Sequence, residues 1–218
     1  HLLKGLDMPY DDTYQWKIAG INHQAWLLEV TKDGVDLYPE IKRRAAARTE
    51  KHNDMVRYEI MKRFGYYVTE SSEHNSEYTP YFIKSRYPEL IDRFNIPLDE
   101  YPRRCIHQIE DWKKRGHELT KNPLLSHERS REFASYIMEA METNVPTQIG
   151  GNVLNQDHLI TTRPAEACEE VPCLVNGHGV QPCHVGSLPV QCAAMNMTNI
   201  NVQLLTIEAA VTRRKDHI

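Results

Sequence analysis

The sequence predicts an α+β fold in which helices and a small antiparallel sheet follow one another irregularly. In several segments apolar residues recur every three or four positions, which is typical of helices. Other segments are rich in branched and aromatic residues and end at turn sequences such as Asp33-Gly34 and Asn176-Gly177, which is typical of antiparallel strands. The two kinds of segment do not alternate regularly, so a parallel βαβ sheet is not expected. A length of 218 residues suits a single domain over 1–218.

The first clear element is a strand over 17–30, because its branched and aromatic side chains favour extended backbone. Within it, Gly20 indicates a close approach of the backbone to a neighbour. A short strand over 66–68 follows, and after it comes the polar stretch 70–78, which has no clear period.

Helices are predicted over 54–64, about 102–117 and about 130–142. For the first of them, Asn53 is the expected N-cap, and Gly65 is expected to end the helix. The residues expected to face inward are Val56, Ile60, Phe64, Ile106, Ile109, Trp112, Phe133, Ile137 and Met141.

The last third of the chain is predicted to contain strands over 148–154, 171–175 and 180–185 and a final helix over 199–213. This helical spacing continues to within a few residues of the last position, and residue 1 is a histidine. We therefore expect the chain to be a piece of a longer protein, truncated at both ends.

Composition excludes several functional classes. The net charge is -4, from 26 basic and 30 acidic residues, so the basic surface of a nucleic-acid-binding protein is not expected. No apolar run has the roughly 18 residues that a membrane span needs. The cysteines number five, which is odd, so we expect reduced thiols in a cytoplasmic protein rather than a disulfide framework.

Four ionisable residues lie together after the short strand: Glu70, Glu73, His74 and Glu77. Such a group can form an acid–base or metal site. The alternative is a solvated surface loop, because runs of charge in loops usually face water.

His23 is the one ionisable residue at the centre of an apolar segment, and Asn22 precedes it. A neutral imidazole in this position can bind a divalent metal ion. Alternatively, it is a core histidine whose ring is hydrogen-bonded to a backbone carbonyl. The pattern of residues by itself leaves both interpretations open.

Two further patterns indicate no site. The set Cys173, His178, Cys183 and His184 does not have the spacing of a structural zinc site, so buried free thiols are expected instead. The only clustered glycines in that region, Gly177 and Gly179, form a turn rather than a phosphate-binding loop.

Several segments resemble the α-galactosidase branch of glycoside hydrolase family 4, in the family's order and with similar spacing. The matching segments are AGINHQAWLLEV (19–30), VRYEIMKRFGYYVTESSEHNSEYTPYFIK (56–84), IPLDEYPRRC (96–105), EEVPCLVNGHGVQPCHVGSLP (169–189) and TNINVQLLTIEAAVT (198–212).

The resemblance implies a fold like the C-terminal domain of lactate dehydrogenases, and an enzyme that depends on NAD and Mn²⁺. Enzymes of this family are an exception to hydrolysis by two carboxylates. The family's reaction begins with oxidation of the sugar at C3, after which a base removes the C2 proton and the leaving group is eliminated. Water then adds, and the hydride returns. The metal ion acts as a Lewis acid.

The resemblance also implies roles for individual residues. His23 matches the metal-binding histidine, and Asn22 would line the same pocket. The family's base falls within 70–72, where Glu70 is the only acid. A one-residue gap would select Ser71, and Tyr78 is a further alternative. His74 would bind a sugar hydroxyl.

The NAD-binding segment, the substrate-binding asparagine segment and the metal-binding cysteine of the family have no counterpart in this chain. We therefore expect the C-terminal domain of an α-galactosidase, inactive by itself, that assembles as a homo-oligomer and binds neither nucleic acid nor membrane. The alternatives are an α-galacturonidase or α-glucuronidase, in which Arg57 or Arg63 would bind the substrate carboxylate, and a catalytically inactive domain kept for assembly.

Overall fold

The structure is a computed structural model that describes residues 2–11, 13–122, 124, 128–130 and 132–217. Within these residues a seven-stranded antiparallel sheet packs against helices, which confirms the α+β class. The strands are β1 (Tyr14–Ile21), β2 (Gln24–Lys32), β3 (Val35–Asp36), β4 (Tyr67–Val68), β5 (Thr147–Leu154), β6 (Cys168–Asn176) and β7 (Gly179–Pro182). The helices are α1 (Leu2–Gly5), α2 (Tyr38–Ala47), α3 (Met55–Phe64), α4 (Ser72–Glu77), α5 (Glu89–Arg93), α6 (Glu100–Lys121), α7 (Ala134–Thr143) and α8 (Val190–Thr212), with 3₁₀ turns at Gln156–His158 and Lys215–His217.

The strand order is β3-β2-β1-β6-β5, with β4 also paired to β2 and β7 also paired to β6. Strands β5 and β6 pair along their whole length, from Thr147 opposite Val175 to Leu154 opposite Cys168. By contrast, β1 and β6 meet at the single pair Gly20 and Glu170. The two halves of the sheet therefore join near the end of β1.

The predicted single strand over 17–30 is wrong, because the chain reverses at Asn22 and His23. Strands β1 and β2 form a tight antiparallel hairpin in which Ile21 pairs with Gln24. Both strands carry buried residues close to the turn, so two short strands read as one apolar segment in the sequence. The close approach expected at Gly20 is confirmed, since a Cβ there would lie 2.7 Å from Ala25 Cα.

Other predicted elements are confirmed with shifted ends. Helix α3 ends at Gly65, whose φ of +85° is the left-handed conformation that glycine adopts most easily. Its N-cap residue is Asp54 rather than the predicted Asn53. Helix α8 begins at Val190, nine residues before the predicted start, because its first turns are apolar on several sides and show no clear period.

Two large apolar clusters and a small one of Ile21, Ala167 and Ile200 form the interior of the described part of the chain. The larger one lies between the sheet and α8 and includes Trp26, Val171 and Cys192. The second packs α1, α2 and α3 against the first strands, around Ile41 and Met61. Helix α3 contributes to both clusters, so it fixes the segment that follows it, which carries β4 and α4.

The inward orientation predicted for two helices is wrong. On α6, Ile106, Ile109 and Trp112 are 57%, 57% and 72% exposed, and none of the helix's residues is buried. Phe133, just before α7, and Met141 within it are also about half exposed, whereas Ile137 packs against the larger cluster. Amphipathic spacing identifies a helix but does not tell what covers its apolar face.

The cysteines in the described part of the chain are all free. Cys173 is buried, as expected, but Cys183 is exposed, so the prediction of a buried thiol is wrong for that residue. No group of three or more metal-binding side chains occurs among the described residues. In the same part of the chain, every helix is too short or too polar to cross a lipid bilayer.

Candidate active site

The candidate site forms where the turn of the β1–β2 hairpin meets α4. Strand β4 pairs with β2, with Val68 opposite Trp26, and this pairing brings the end of β4 close to the hairpin. Thr69 continues the contact, because its backbone N–H donates to the carbonyl of Ala25 and its hydroxyl accepts from the N–H of Ala25. The residues that follow, including Glu70, are thereby held beside His23.

His23 lies between two of the predicted catalytic residues. Its Nε2 is 3.5 Å from Glu70 Oε2, and its Nδ1 is 3.2 Å from the hydroxyl of Tyr78. The side chain of His23 is 44% exposed, so the alternative of a core histidine is wrong. The structure thus brings together three residues that are distant in the sequence, since Glu70 follows His23 by 47 positions and Tyr78 follows Glu70 by 8.

Both His23 and Glu70 adopt left-handed backbone conformations, with φ values of +64° and +68°. Residues other than glycine rarely have this conformation, and strained positions of this kind concentrate at functional sites. The Glu70 side chain is further held by the backbone N–H of Ser71, which donates to Oε1 at 2.9 Å. The backbone conformation of both residues, and the hydrogen bond to Glu70, therefore restrict where their side chains lie.

The polar stretch after Glu70 is a helix rather than the solvated loop considered as an alternative. Ser71 caps α4, since its hydroxyl accepts from the N–H of His74 at 3.2 Å. The Asn75 side chain donates to the carbonyls of Thr69 and Ser71 and is fully buried. The stretch is thus folded against the protein, with Glu70 at the end that lies next to His23.

The acidic residues of this stretch divide between different partners. His74 stacks on His23 with ring centroids 5.5 Å apart, and its Nδ1 lies 3.1 Å from Glu77 Oε2. Glu73 instead lies 3.7 Å from Arg104 on α6, and burial raises the pKa of its carboxyl group. Glu70 is therefore the acid of this group that faces His23.

Tyr78 keeps its proton at neutral pH. Burial raises the pKa of its hydroxyl, and the negative charges of Glu77 and Glu70 raise it further. The protonated hydroxyl can donate to His23 Nδ1 or accept from it, according to the tautomer of the imidazole. This arrangement makes Tyr78 a poor base and Glu70 the better candidate.

A network of buried amide side chains connects α8 to the residues of the site, and the sequence analysis did not predict it. Asn196 on α8 accepts from Trp26 Nε1 at 2.8 Å and donates to the carbonyl of Gln24 at 2.6 Å. Asn199, one turn later, donates to Gln24 Oε1 at 3.1 Å and to the carbonyl of Tyr78 at 3.5 Å. The spacing of two asparagines on an apolar helix was the available signal. The network ties α8 to the hairpin turn and to Tyr78.

Glu170 was also missed as a site residue. It pairs with Gly20, three residues before His23. Burial raises the pKa of its carboxyl group, the nearby His23 imidazole lowers it, and the charge of Glu70 raises it again. Its side chain makes no hydrogen bond or ion pair with the residues that the structure describes. Asn22, in contrast, is exposed in the turn and has no described side-chain partner.

The residues of the site suit part of a manganese site but no NAD site. His23 and Glu70 offer a nitrogen and an oxygen donor side by side, and imidazole and carboxylate are suitable ligands for Mn²⁺. A full set of ligands would need further donors. No described segment combines a glycine-rich loop with the start of a helix, which is what a dinucleotide phosphate requires.

The chain belongs to family 4 of the glycosyl hydrolases, because the C-terminal domain of that family matches residues 18–218. Over 218 residues the chain is 60% identical to an α-galactosidase of Bacillus subtilis, covering all of this chain and 50% of that protein. The chain spans about half the length of the curated relatives it matches.

Solved structures of low sequence identity share the fold. The lplD protein of Bacillus subtilis, described as a glucosidase on a provisional basis, is 17% identical with a TM-score of 0.81 over 99% of this chain and 52% of that one. A 6-phospho-α-glucosidase from gut microorganisms, solved in complex with NAD and Mn²⁺, is 18% identical with a TM-score of 0.67 over 99% of this chain and 51% of that one. These likenesses confirm the expected fold.

Proposed function

We propose that the whole protein hydrolyses terminal α-D-galactosides of the melibiose or raffinose type, and that residues 1–218 are its substrate- and metal-binding domain. The observation that carries the proposal is the meeting of His23, Glu70 and Tyr78 at one point, on a backbone with two left-handed residues. The 60% identity to an α-galactosidase supports the choice of sugar.

In this proposal Glu70 is the general base that removes the proton from C2 of the sugar. Its carboxylate is partly exposed and faces His23, so a sugar bound at the imidazole would lie within its reach. Tyr78 orients the His23 ring through Nδ1. His74, stacked on His23, would contact a sugar hydroxyl. Asn22, in the turn between β1 and β2, would contact another.

His23 would hold Mn²⁺ through Nε2, in the tautomer whose Nδ1–H donates to the hydroxyl of Tyr78. When bound, the ion supplies a Lewis acid that stabilises negative charge on the sugar oxygens. The contact between Nδ1 and Tyr78 has the role that second-shell partners of metal-binding histidines usually have, because it fixes the orientation of the ring. NAD, in contrast, would bind to the part of the protein outside this chain.

The uronide alternatives require a free cation at the site, and the two candidates are engaged elsewhere. Arg57 donates from Nε to Asp54 at 2.8 Å, and its guanidinium lies over the ring of Tyr67. Arg63 pairs with Glu59 at 2.6 Å on the exposed side of α3. These contacts favour a neutral galactoside over a substrate that carries a carboxylate.

A comparison of two substrates tests this choice. We expect the full-length protein with NAD and Mn²⁺ to hydrolyse 4-nitrophenyl α-D-galactoside about 10- to 100-fold faster than the matching α-D-galacturonide, since leaving a carboxylate without a charged partner costs about 1.5–3 kcal/mol. The measurement is kcat/KM for both substrates. A preference for the galacturonide would contradict the proposal, and absence of hydrolysis of either would favour a catalytically inactive domain kept for assembly.

We also propose that the protein is a homo-oligomer in the cytoplasm. The free cysteines support the location. The apolar face of α6, formed by Ile106, Ile109 and Trp112, supports the assembly, because large exposed apolar patches favour association.

We expect this chain to self-associate at a protein concentration of roughly tens of micromolar, because a weak interface is populated at such concentrations. Light scattering should give a mass of at least two chains, and Trp112→Glu should lower it, whereas Lys113→Glu, a change to an exposed residue of the same helix, should not. A monomeric wild-type chain would contradict the proposal.

A further inference from the structure

Arg163, in the segment between β5 and β6, is a buried cation with one hydrogen-bonded partner in the described part of the chain. The residue is 4% exposed, and its Nη2 donates to Asn196 Oδ1 at 2.7 Å. Its Nε and Nη1 atoms are buried and have no hydrogen-bond partner among the described residues. A buried charge generally adds little to stability, because removing it from water is costly. The contact is therefore better explained by its effect on Asn196.

Asn155 fixes the segment that carries Arg163. It is fully buried, and its side-chain Nδ2 lies 3.0, 3.1 and 3.2 Å from the carbonyl oxygens of Ile160, Arg163 and Pro164. Its Oδ1 accepts from the backbone N–H of Ile160 at 2.8 Å. These contacts hold the backbone of Arg163 at a defined position beside the end of β5.

Arg163 determines the direction in which the Asn196 amide points. The Oδ1 atom of Asn196 accepts from Arg163 and, at 2.8 Å, from Trp26 Nε1. Both of these groups can only donate, so they require the oxygen of the amide at this end. The Nδ2 atom then faces Gln24, where it donates to the carbonyl oxygen at 2.6 Å and to Oε1 at 3.1 Å. The contact from the guanidinium is the charge-assisted one of the two at Oδ1, and such bonds are the stronger kind.

Gln24 directly follows His23, and α8 holds both its backbone and its side-chain oxygen. It is buried, and its Oε1 also accepts from Asn199 at 3.1 Å. His23 has a φ of +64°, a conformation that persists in a residue other than glycine when the surrounding structure fixes it. The bonds to Gln24 therefore fix the backbone next to the residue that needs such support.

We propose that Arg163 is a positioning residue for His23. Through Asn196 and Gln24 it holds the hairpin turn in the conformation in which the imidazole of His23 is presented to Mn²⁺. The inference rests on the proposed metal-binding role of His23 and extends it to a residue that does not touch the ion.

Glu169 on β6 has to be included in the test. It is fully buried, and neither of its carboxylate oxygens has a hydrogen-bond partner in the described ranges. Burial lowers the pKa of Arg163, and the charge of Glu169 raises it. Arg163→Met alone would leave this carboxylate buried without a cation, which can prevent folding. Every variant of the network is therefore made together with Glu169→Gln.

The test measures two affinities in the full-length protein, with Glu169→Gln as the reference. Adding Arg163→Met should weaken Mn²⁺ binding by about 3- to 10-fold, less than the 10- to 100-fold of a direct second-shell partner, because Arg163 acts through two further residues. The affinity for NAD, whose proposed site lies outside this chain, should stay within about twofold, as for a substitution remote from a site. Electron paramagnetic resonance of free Mn²⁺ and calorimetry with NAD give the two constants.

A double-mutant cycle shows whether Arg163 acts through Asn196. If it does, Asn196→Leu should weaken Mn²⁺ binding, and adding Arg163→Met to that variant should weaken it no further. Losses that multiply would overturn the inference, as would unchanged Mn²⁺ affinity in the Arg163→Met variant. The comparison of Arg163→Met with its reference decides the matter even if Asn196→Leu does not fold.

Ile41→Val is the matched control, since it removes a methyl group from the second apolar cluster, outside this series of hydrogen bonds. It should leave the Mn²⁺ affinity unchanged, and a loss equal to that of Arg163→Met would mean a general effect of stability and would overturn the inference. If the wild-type protein binds no Mn²⁺, the proposed metal-binding role of His23 itself fails, and the inference fails with it.

Discussion

Glu70→Gln in the full-length protein is expected to slow galactoside hydrolysis by about 100- to 10,000-fold, the usual cost of losing a positioned base. The substitution keeps the shape of the side chain and its contact with the N–H of Ser71, but removes the basic oxygen that faces His23. The measurement is kcat with saturating substrate, together with the isotope effect of substrate deuterated at C2. The isotope effect should increase, because proton removal becomes more rate-limiting.

Tyr78→Phe is the control that separates the two candidate bases. It removes the hydroxyl that contacts His23 Nδ1 and leaves Glu70 in place. Because the raised pKa of Tyr78 keeps it protonated, we expect a loss of only about 10- to 100-fold, typical of a residue that orients a metal-binding histidine. Near-normal turnover of Glu70→Gln with a severe loss in Tyr78→Phe would assign the base to Tyr78 instead.

The elements that the sequence predicted correctly are those with a local chemical signal. Gly65 ends α3 because glycine adopts the left-handed conformation without strain. The Asp33-Gly34 turn joins β2 to β3, since both residues have positive φ. The turn at Asn22 and His23 has no such signal, because His23 takes its left-handed conformation from surrounding contacts rather than from its own preference.

The candidate site could be predicted only in part. The resemblance selected His23, Glu70, His74 and Tyr78, and the structure brings these four together. Asn22 does not join them through any described contact. Glu170 and the amide network of Asn196 and Asn199 come from strands and helices distant in the sequence, so only the folded chain shows that they are adjacent.

His23→Ala is expected to weaken Mn²⁺ binding to the full-length protein by at least about 100-fold. Loss of a second-shell partner already costs about 10- to 100-fold in metal affinity, and loss of a ligand should cost no less than the upper value. Electron paramagnetic resonance of free Mn²⁺ measures the affinity directly, without any need for catalysis. His74→Ala is the matched control, because it removes a neighbouring imidazole that pairs with Glu77 instead.

The chain of 218 residues should bind Mn²⁺ weakly even as wild type, since affinity requires several converging donors. In the proposed arrangement His23 supplies one, since Glu70 acts as the base, and the described residues contain no group of three side chains that could hold the ion. A micromolar or tighter site on this chain that His23→Ala abolishes would mean that its own residues complete the ligand set. An equal loss of affinity in His74→Ala would instead show that the stacked histidines act as a unit. The proposal that His23 binds the metal ion therefore requires two results: His23→Ala and His74→Ala both fold, and only His23→Ala loses Mn²⁺.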